Sequence, residues 1–153
     1  MQNSIDQLEE LTKIIPDKLN AISELNFSYK SNPEKWNKKE ILGHLIDSTT
    51  NNHQIFIRTQ FEESPKIWYD QDNWVERNNY QNIHKECLID FWTIYNRHLI
   101  KVVKNIRPEK LFNTCEMKDG TKQTIEFLIC DYVKHLEYHL SQIITPTDGN
   151  SKS

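Results

Sequence analysis

The chain has 153 residues, the size of one domain, and 19 Lys and Arg against 22 Asp and Glu leave a net charge of −3 with the cations scattered, which argues against nucleic acid as the main partner. An apolar fraction of 37% and only three Gly are lean for an all-β fold with its many tight turns, but they suffice for helices that each bury one apolar stripe. No stretch approaches the ~20 apolar residues of a membrane span, Met1 to Glu10 has no apolar block like that of a signal peptide, and Cys87, Cys115 and Cys130 form no Cys-x-x-Cys pair, so a cytoplasmic protein with reduced thiols is expected.

Four segments carry helical periodicity. The first runs from about Ser4 to Leu25, with Ile5, Leu8, Leu11, Ile15, Leu19 and Ile22 on one face; Pro16 predicts a kink or two shorter helices in line. The second opens at Asn37, with Glu40 three residues later as in a capping box, and should reach about Phe61 before Ser64-Pro65. The third spans about Gln81 to Ile106, with Leu88, Phe91, Trp92, Tyr95, Leu99, Val102 and Ile106 in phase, and Pro108 closes it. The fourth opens at Thr124 and runs through Ile144, before Pro146. Ahead of it, Lys118-Asp119-Gly120-Thr121 has turn chemistry that allows a short two-stranded ribbon. The connection from Glu62 to Tyr80 is long for a bundle and holds Trp68, Tyr69 and Trp74, so it should fold back over something and act as a crossover. The class is all-α, a four-helix bundle. Thr147 to Ser153 read as a frayed polar tail.

Six histidines are the chemical candidates. His135 and His139, four apart, lie within about 40° of each other on one helix face, His139 inside the apolar arc and His135 at its edge. Imidazoles turned toward a core need partners for their nitrogens, and a metal ion supplies one for each. Glu137 points roughly 200° away from the first histidine, so this is not the His-Glu-x-x-His motif of metalloproteases. His44 lies one turn inside the second helix beside the arc of Ile41, Leu45, Ile55 and Phe56, where Ser48, Asn51 and Asn52 suit the wall of a wet site. Three such ligands would leave a coordination position open, as in catalytic sites. His53 should face outward. His84 and His98, near the third helix's core stripe, stand roughly 21 Å apart along the axis and cannot share an ion.

Trp36-Asn37-Lys38-Lys39-Glu40-Ile41-Leu42-Gly43-His44-Leu45-Ile46-Asp47-Ser48 resembles the second-helix signature of the DinB-like superfamily, and Asp131-Tyr132-Val133-Lys134-His135-Leu136-Glu137-Tyr138-His139-Leu140 resembles its fourth-helix signature. Tyr69-Asp70-Gln71-Asp72-Asn73-Trp74 is similar to a loop of one branch. The resemblance covers about Leu8 to Ile144 and implies one bundle domain over residues 1–146. It also implies a long crossover and one divalent ion, zinc or nickel, on His44, His135 and His139. The superfamily includes bacillithiol-type thiol transferases, a mycothiol-dependent isomerase and proteins described as metal-dependent hydrolases.

The expected function is a metal-dependent thiol S-transferase using a low-molecular-weight thiol as cosubstrate, with a small-molecule electrophile held under the Trp68 to Trp74 loop. Asp47 and Asn51 are candidates for positioning either partner, and Asp131, one turn before His135, for holding an imidazole in its correct tautomer. Two readings stand beside it: a hydrolase in which Asp47 or Asp131 moves the proton, and a non-catalytic metal-binding module. A homodimer is expected because lean bundles often share a face. Arg58, roughly 21 Å along the helix from His44, is too far for a role at the ion.

Overall fold

The computed structural model describes residues 1–144; the polar tail from Thr147 to Ser153 lies outside the described residues. Six α-helices follow one another: α1 (Gln2–Asn20), α2 (Glu24–Ser28), α3 (Lys38–Arg58), α4 (Gln71–Asn78), α5 (Lys85–Lys104) and α6 (Ile125–Ile143). The four long ones make the bundle, α1 and α3 each packing against both α5 and α6. An antiparallel ribbon, β1 (Thr114–Glu116) and β2 (Lys122–Thr124), precedes α6 with Cys115 opposite Gln123. No helix of the described residues is long and apolar enough to cross a membrane.

The second predicted helix begins where its capping box says. The Asn37 side chain accepts the Glu40 amide at 2.9 Å, and the Glu40 carboxylate accepts the Asn37 amide at 3.3 Å. Asn37 also donates through Nδ2 to the Ser28 carbonyl and to Gln81 Oε1, so one buried amide ties the start of α3 to the end of α2 and to the approach to α5. The helix stops at Arg58, three residues short of the expected Phe61, and tight turns carry the chain onward. Thr124 caps α6 by accepting the Phe127 amide.

Four expectations need correction. Pro16 does not divide the first helix: α1 runs through it, and the break falls at Ala21 to Ser23, where Ser23 caps the separate α2. There the buried Lys85 ammonium donates to the carbonyls of Asn20 and Ile22, a cation closing a helix C-terminus. The crossover is not all loop, because Asp70 caps α4 by accepting the Asn73 amide. The buried stripe of α5 is turned from the predicted phase: Leu88, Ile89, Trp92, Thr93, Asn96, Leu99, Ile100 and Val103 face in. Phe91 is exposed and stacks on Tyr95, ring centres 5.6 Å apart, on the outer side of the helix. The same rotation puts His84 and His98 at the surface, while His53, expected outside, is half-buried with Nδ1 at 3.0 Å from the Tyr95 hydroxyl.

A polar knot inside the bundle explains why Asn96 faces inward, while Thr93 beside it donates to the Ile89 carbonyl of its own helix. Tyr132 of α6 donates to Asn96 Oδ1 at 2.5 Å and meets the Thr49 hydroxyl at 2.8 Å, while Asn96 Nδ2 donates to the Trp92 carbonyl. All three side chains are buried, so every bond left unmade would cost the full desolvation of its partner. The knot holds α3, α5 and α6 in one register, and the candidate site lies between two of them.

Candidate metal centre

His44 sits in the second turn of α3 and is 1% exposed, with the Trp36 ring against it at 4.8 Å. Across the bundle, α6 presents His135 and His139, both half-buried. The Nε2 atoms of His44 and His135 stand 3.3 Å apart, and the ring centres of His44 and His139 are 4.8 Å apart. One ligand atom from each of the three lies within 4.8 Å of the others. The structure therefore brings together the three histidines that helical phase singled out.

The electrostatics suit a cation. Burial, followed by the charges of His135 and His139, lowers the pKa of His44 to about 3. Burial and then His139 lower that of His135 as well, against the opposing charge of Asp131. Rings held neutral keep a lone pair for bonding. Two nitrogens each about 2.05 Å from a tetrahedral zinc would be about 3.3 Å apart, the spacing of His44 and His135. The donor set fits, and the three imidazoles could hold one divalent ion.

Outer partners occupy the far sides of two rings. Tyr69 Oη is 3.4 Å from His44 Nδ1, and Gln142 Oε1 is 2.8 Å from His139 Nδ1. Neither was singled out from the sequence as a ring partner. Gln142 was legible, three residues from His139 on the same helix face; Tyr69, twenty-five residues from His44 across a crossover, left no signal.

A cavity of about 760 Å³ opens beside His44 and His135. Ser48, Asn51 and Asn52 line it from α3, as their phase implied, with Leu128, Asp131 and Tyr132 from α6. The crossover folds over it through Trp68 and Tyr69, and Lys118 of the ribbon turn places its ammonium 4.7 Å from the Trp68 ring centre, a cation–π clasp across the mouth. A second cavity of about 360 Å³ lies under the same crossover, lined by Asp47, Thr50, Gln54 and Arg58, and shares Asn51, Ile67, Trp68 and Tyr69 with the first.

The carboxylates separate. Asp131 is exposed at the rim of the first cavity, whereas Asp47 is buried on the wall of the second. Asp47 Oδ1 accepts the Tyr80 hydroxyl at 2.5 Å and Asn78 Nδ2 at 3.2 Å, and Oδ2 is buried without a partner among the described residues. Burial raises its pKa to about 6, with the Tyr80 bond pulling the other way. Tyr80 reaches this carboxylate because its ring lies directly on Gly43, where any Cβ would overlap it. Asn51 faces both cavities. Arg58 is engaged by Glu62 through two nitrogens, away from the histidines.

No protein-family model matches the sequence. A Halalkalibacterium halodurans protein named, provisionally, a metal-dependent hydrolase is 25% identical over 143 residues, 89% of this chain and 81% of its own length. A second, from Oceanobacillus iheyensis and named in the same way, is 21% identical over 97% of this chain and 86% of its own. Among solved structures, Bacillus subtilis YfiT, described as a probable metal-dependent hydrolase with an unusual four-helix bundle topology, superposes with a TM-score of 0.83 at 19% identity, covering 93% of this chain and 82% of YfiT. The mycothiol-dependent maleylpyruvate isomerase superposes at 0.77 with 8% identity, over 93% of this chain and 60% of the isomerase. The fold is thus a four-helix bundle of the YfiT kind, built around a histidine cluster shared by two helices. The two helix signatures resemble those of the DinB-like superfamily, and the likenesses to YfiT, to the isomerase and to the two relatives support that resemblance.

Proposed function

We propose that the protein is a metal-dependent enzyme in which His44, His135 and His139 hold one divalent ion, zinc or nickel, and that it transfers a low-molecular-weight thiol to a small electrophile. The observation that carries this reading is the pair of cavities meeting at Asn51 and Tyr69: a two-substrate reaction uses two chambers, one apolar beside the histidines and one polar beneath the crossover. When bound, such an ion lowers the pKa of a coordinated thiol, so that thiolate is available at neutral pH.

The chain's own residues supply the rest. Asn51, facing both chambers, orients thiol against electrophile, and Asp47 anchors the polar chamber through Tyr80 and Asn78. Asp131 stands at the cavity rim one turn before His135, placed to steady that ring. The Trp68–Lys118 clasp restricts water at the mouth. The sulfur lone pair forms the carbon–sulfur bond as a carbon–halogen bond breaks and halide leaves, or as an epoxide opens and its oxygen takes a proton from solvent. Residues 1–146 act as one domain in a cytoplasmic homodimer, a reading supported by the exposed Phe91 and Ile94 of α5.

The test is turnover of a chlorinated or epoxide electrophile with bacillithiol or cysteine, comparing metal-loaded with metal-free protein. A metal-dependent, thiol-dependent rate is expected, lost in His44→Ala; no rate above the metal-free protein across several thiols overturns the transferase. Hydrolysis is the second reading, favoured by the provisional names of the two sequence relatives and by Asp131 at the cavity rim. Thiol-independent, metal-dependent cleavage of esters or amides would select it.

A further inference from the structure

We infer that Tyr69 is a positioning residue of the histidine cluster, accepting the Nδ1 proton of His44 so that its Nε2 lone pair faces His135 and His139. This rests on the metal reading above. A neutral imidazole carries one proton on one of two nitrogens, and here the choice decides whether His44 is a ligand at all. Nε2 faces His135 Nε2 at 3.3 Å; Nδ1 faces Tyr69 Oη at 3.4 Å. A phenol that donated to Nδ1 would drive the ring proton onto Nε2 and close the cluster to cations.

Asp47 breaks the tie. It lies one turn beyond His44 on α3, is 2% exposed, and lines the second cavity together with Tyr69. An anion there favours the orientation in which the phenol hydrogen points toward the carboxylate and the oxygen lone pair toward His44. The carboxylate is itself held by Tyr80 and Asn78, and Tyr80 is seated on Gly43, the residue before His44. His139 has the same arrangement in another form: its Nδ1 faces the Gln142 side-chain oxygen, which can only accept. Two of the three rings thus have an acceptor placed on the side away from the cluster.

Tyr69→Phe removes the acceptor and keeps the ring that packs edge-on against Trp74 at 5.7 Å. Zinc affinity, measured by competition with a chromophoric chelator, should fall about 10-fold or more, with urea stability of the metal-free protein retained. A smaller loss overturns the inference. Long-range nitrogen–proton NMR of zinc-loaded wild-type protein gives a second reading free of mutagenesis: His44 should be metallated at Nε2 and protonated at Nδ1, and the reverse assignment overturns it. Wild-type protein that takes up no zinc, or keeps its affinity in His44→Ala, would overturn the histidine site and this inference with it. Intact zinc binding with an unchanged Tyr69→Phe affinity overturns Tyr69 alone.

Discussion

Burial acts on His44 and Asp47, three residues apart on α3, in opposite directions. The histidine drops from 6.5 to about 3, so from about pH 3 to 6.5 the unfolded chain binds a proton that the folded chain refuses, and stability rises with pH. The carboxylate climbs from 3.8 to about 6, so between those values the folded chain keeps a proton that the unfolded chain has lost, and stability falls as pH rises. In the metal-free protein the two slopes oppose each other where they overlap. Asp47→Asn, which keeps an acceptor for Tyr80, should uncover the histidine slope, up to about 1.4 kcal/mol per pH unit between about pH 4 and 6. Urea unfolding across that range checks it; profiles parallel to wild type would refute the assignment. Gly43 makes a sharper case. Gly43→Ala drives a methyl into the Tyr80 ring, and the cost should be about 2–3 kcal/mol by urea unfolding, reduced when Tyr80 is also trimmed to Leu. At this scale the sequence was readable wherever a neighbour lay within one helical turn, as for the Asn37 cap and the His135–His139 pair. It was silent about Tyr69 and Tyr80, whose partners are set by the path of the crossover.

Among the elements, α3 is defined locally and α5 is not. The Asn37–Glu40 box needs four residues, and both bonds form. Asn37→Ala also removes the ties to Ser28 and Gln81, so its cost should reach the upper end of the cap range, about 2 kcal/mol in an equilibrium melt, whereas Asn37→Ser, which keeps the cap alone, should recover part of it. The phase of α5 was misread because Phe91 and Tyr95 are apolar enough to join the core stripe by composition, while Thr93 and Asn96 are polar enough to be left out. For Asn96 the buried knot with Thr49 and Tyr132 reverses that choice, and it spans three helices, beyond the view of any one segment's periodicity. Pro16 misled in the other direction. A proline lacks one amide and crowds one carbonyl, but α1 is held along its apolar face by Ile5, Leu8, Leu11, Ile15 and Leu19, which keep it in one piece. The eight residues of α4 were hidden because its mostly polar sequence shows little beyond the Asp70 cap.

For the whole molecule, an ion bound only by the folded state stabilises it by mass action, about 2.7 kcal/mol at a free concentration 100 times the dissociation constant. Zinc or nickel should raise the midpoint of thermal unfolding in proportion to the logarithm of metal concentration, a chelator should reverse the gain, and His135→Ala should abolish it while leaving a folded apo-protein. Differential scanning calorimetry with elemental analysis decides the matter, and a midpoint indifferent to metal would count against the site. One further consequence belongs to this scale. His44 and His135 are separated by 91 positions in the chain, and the second of them rides on α6, the last of the described helices. A cation gripped by both acts as a clasp between the early and late parts of the polypeptide, one that an unfinished chain on the ribosome has no means to fasten. Metal content would then distinguish molecules in which α6 has docked beside α3 from those in which it has not.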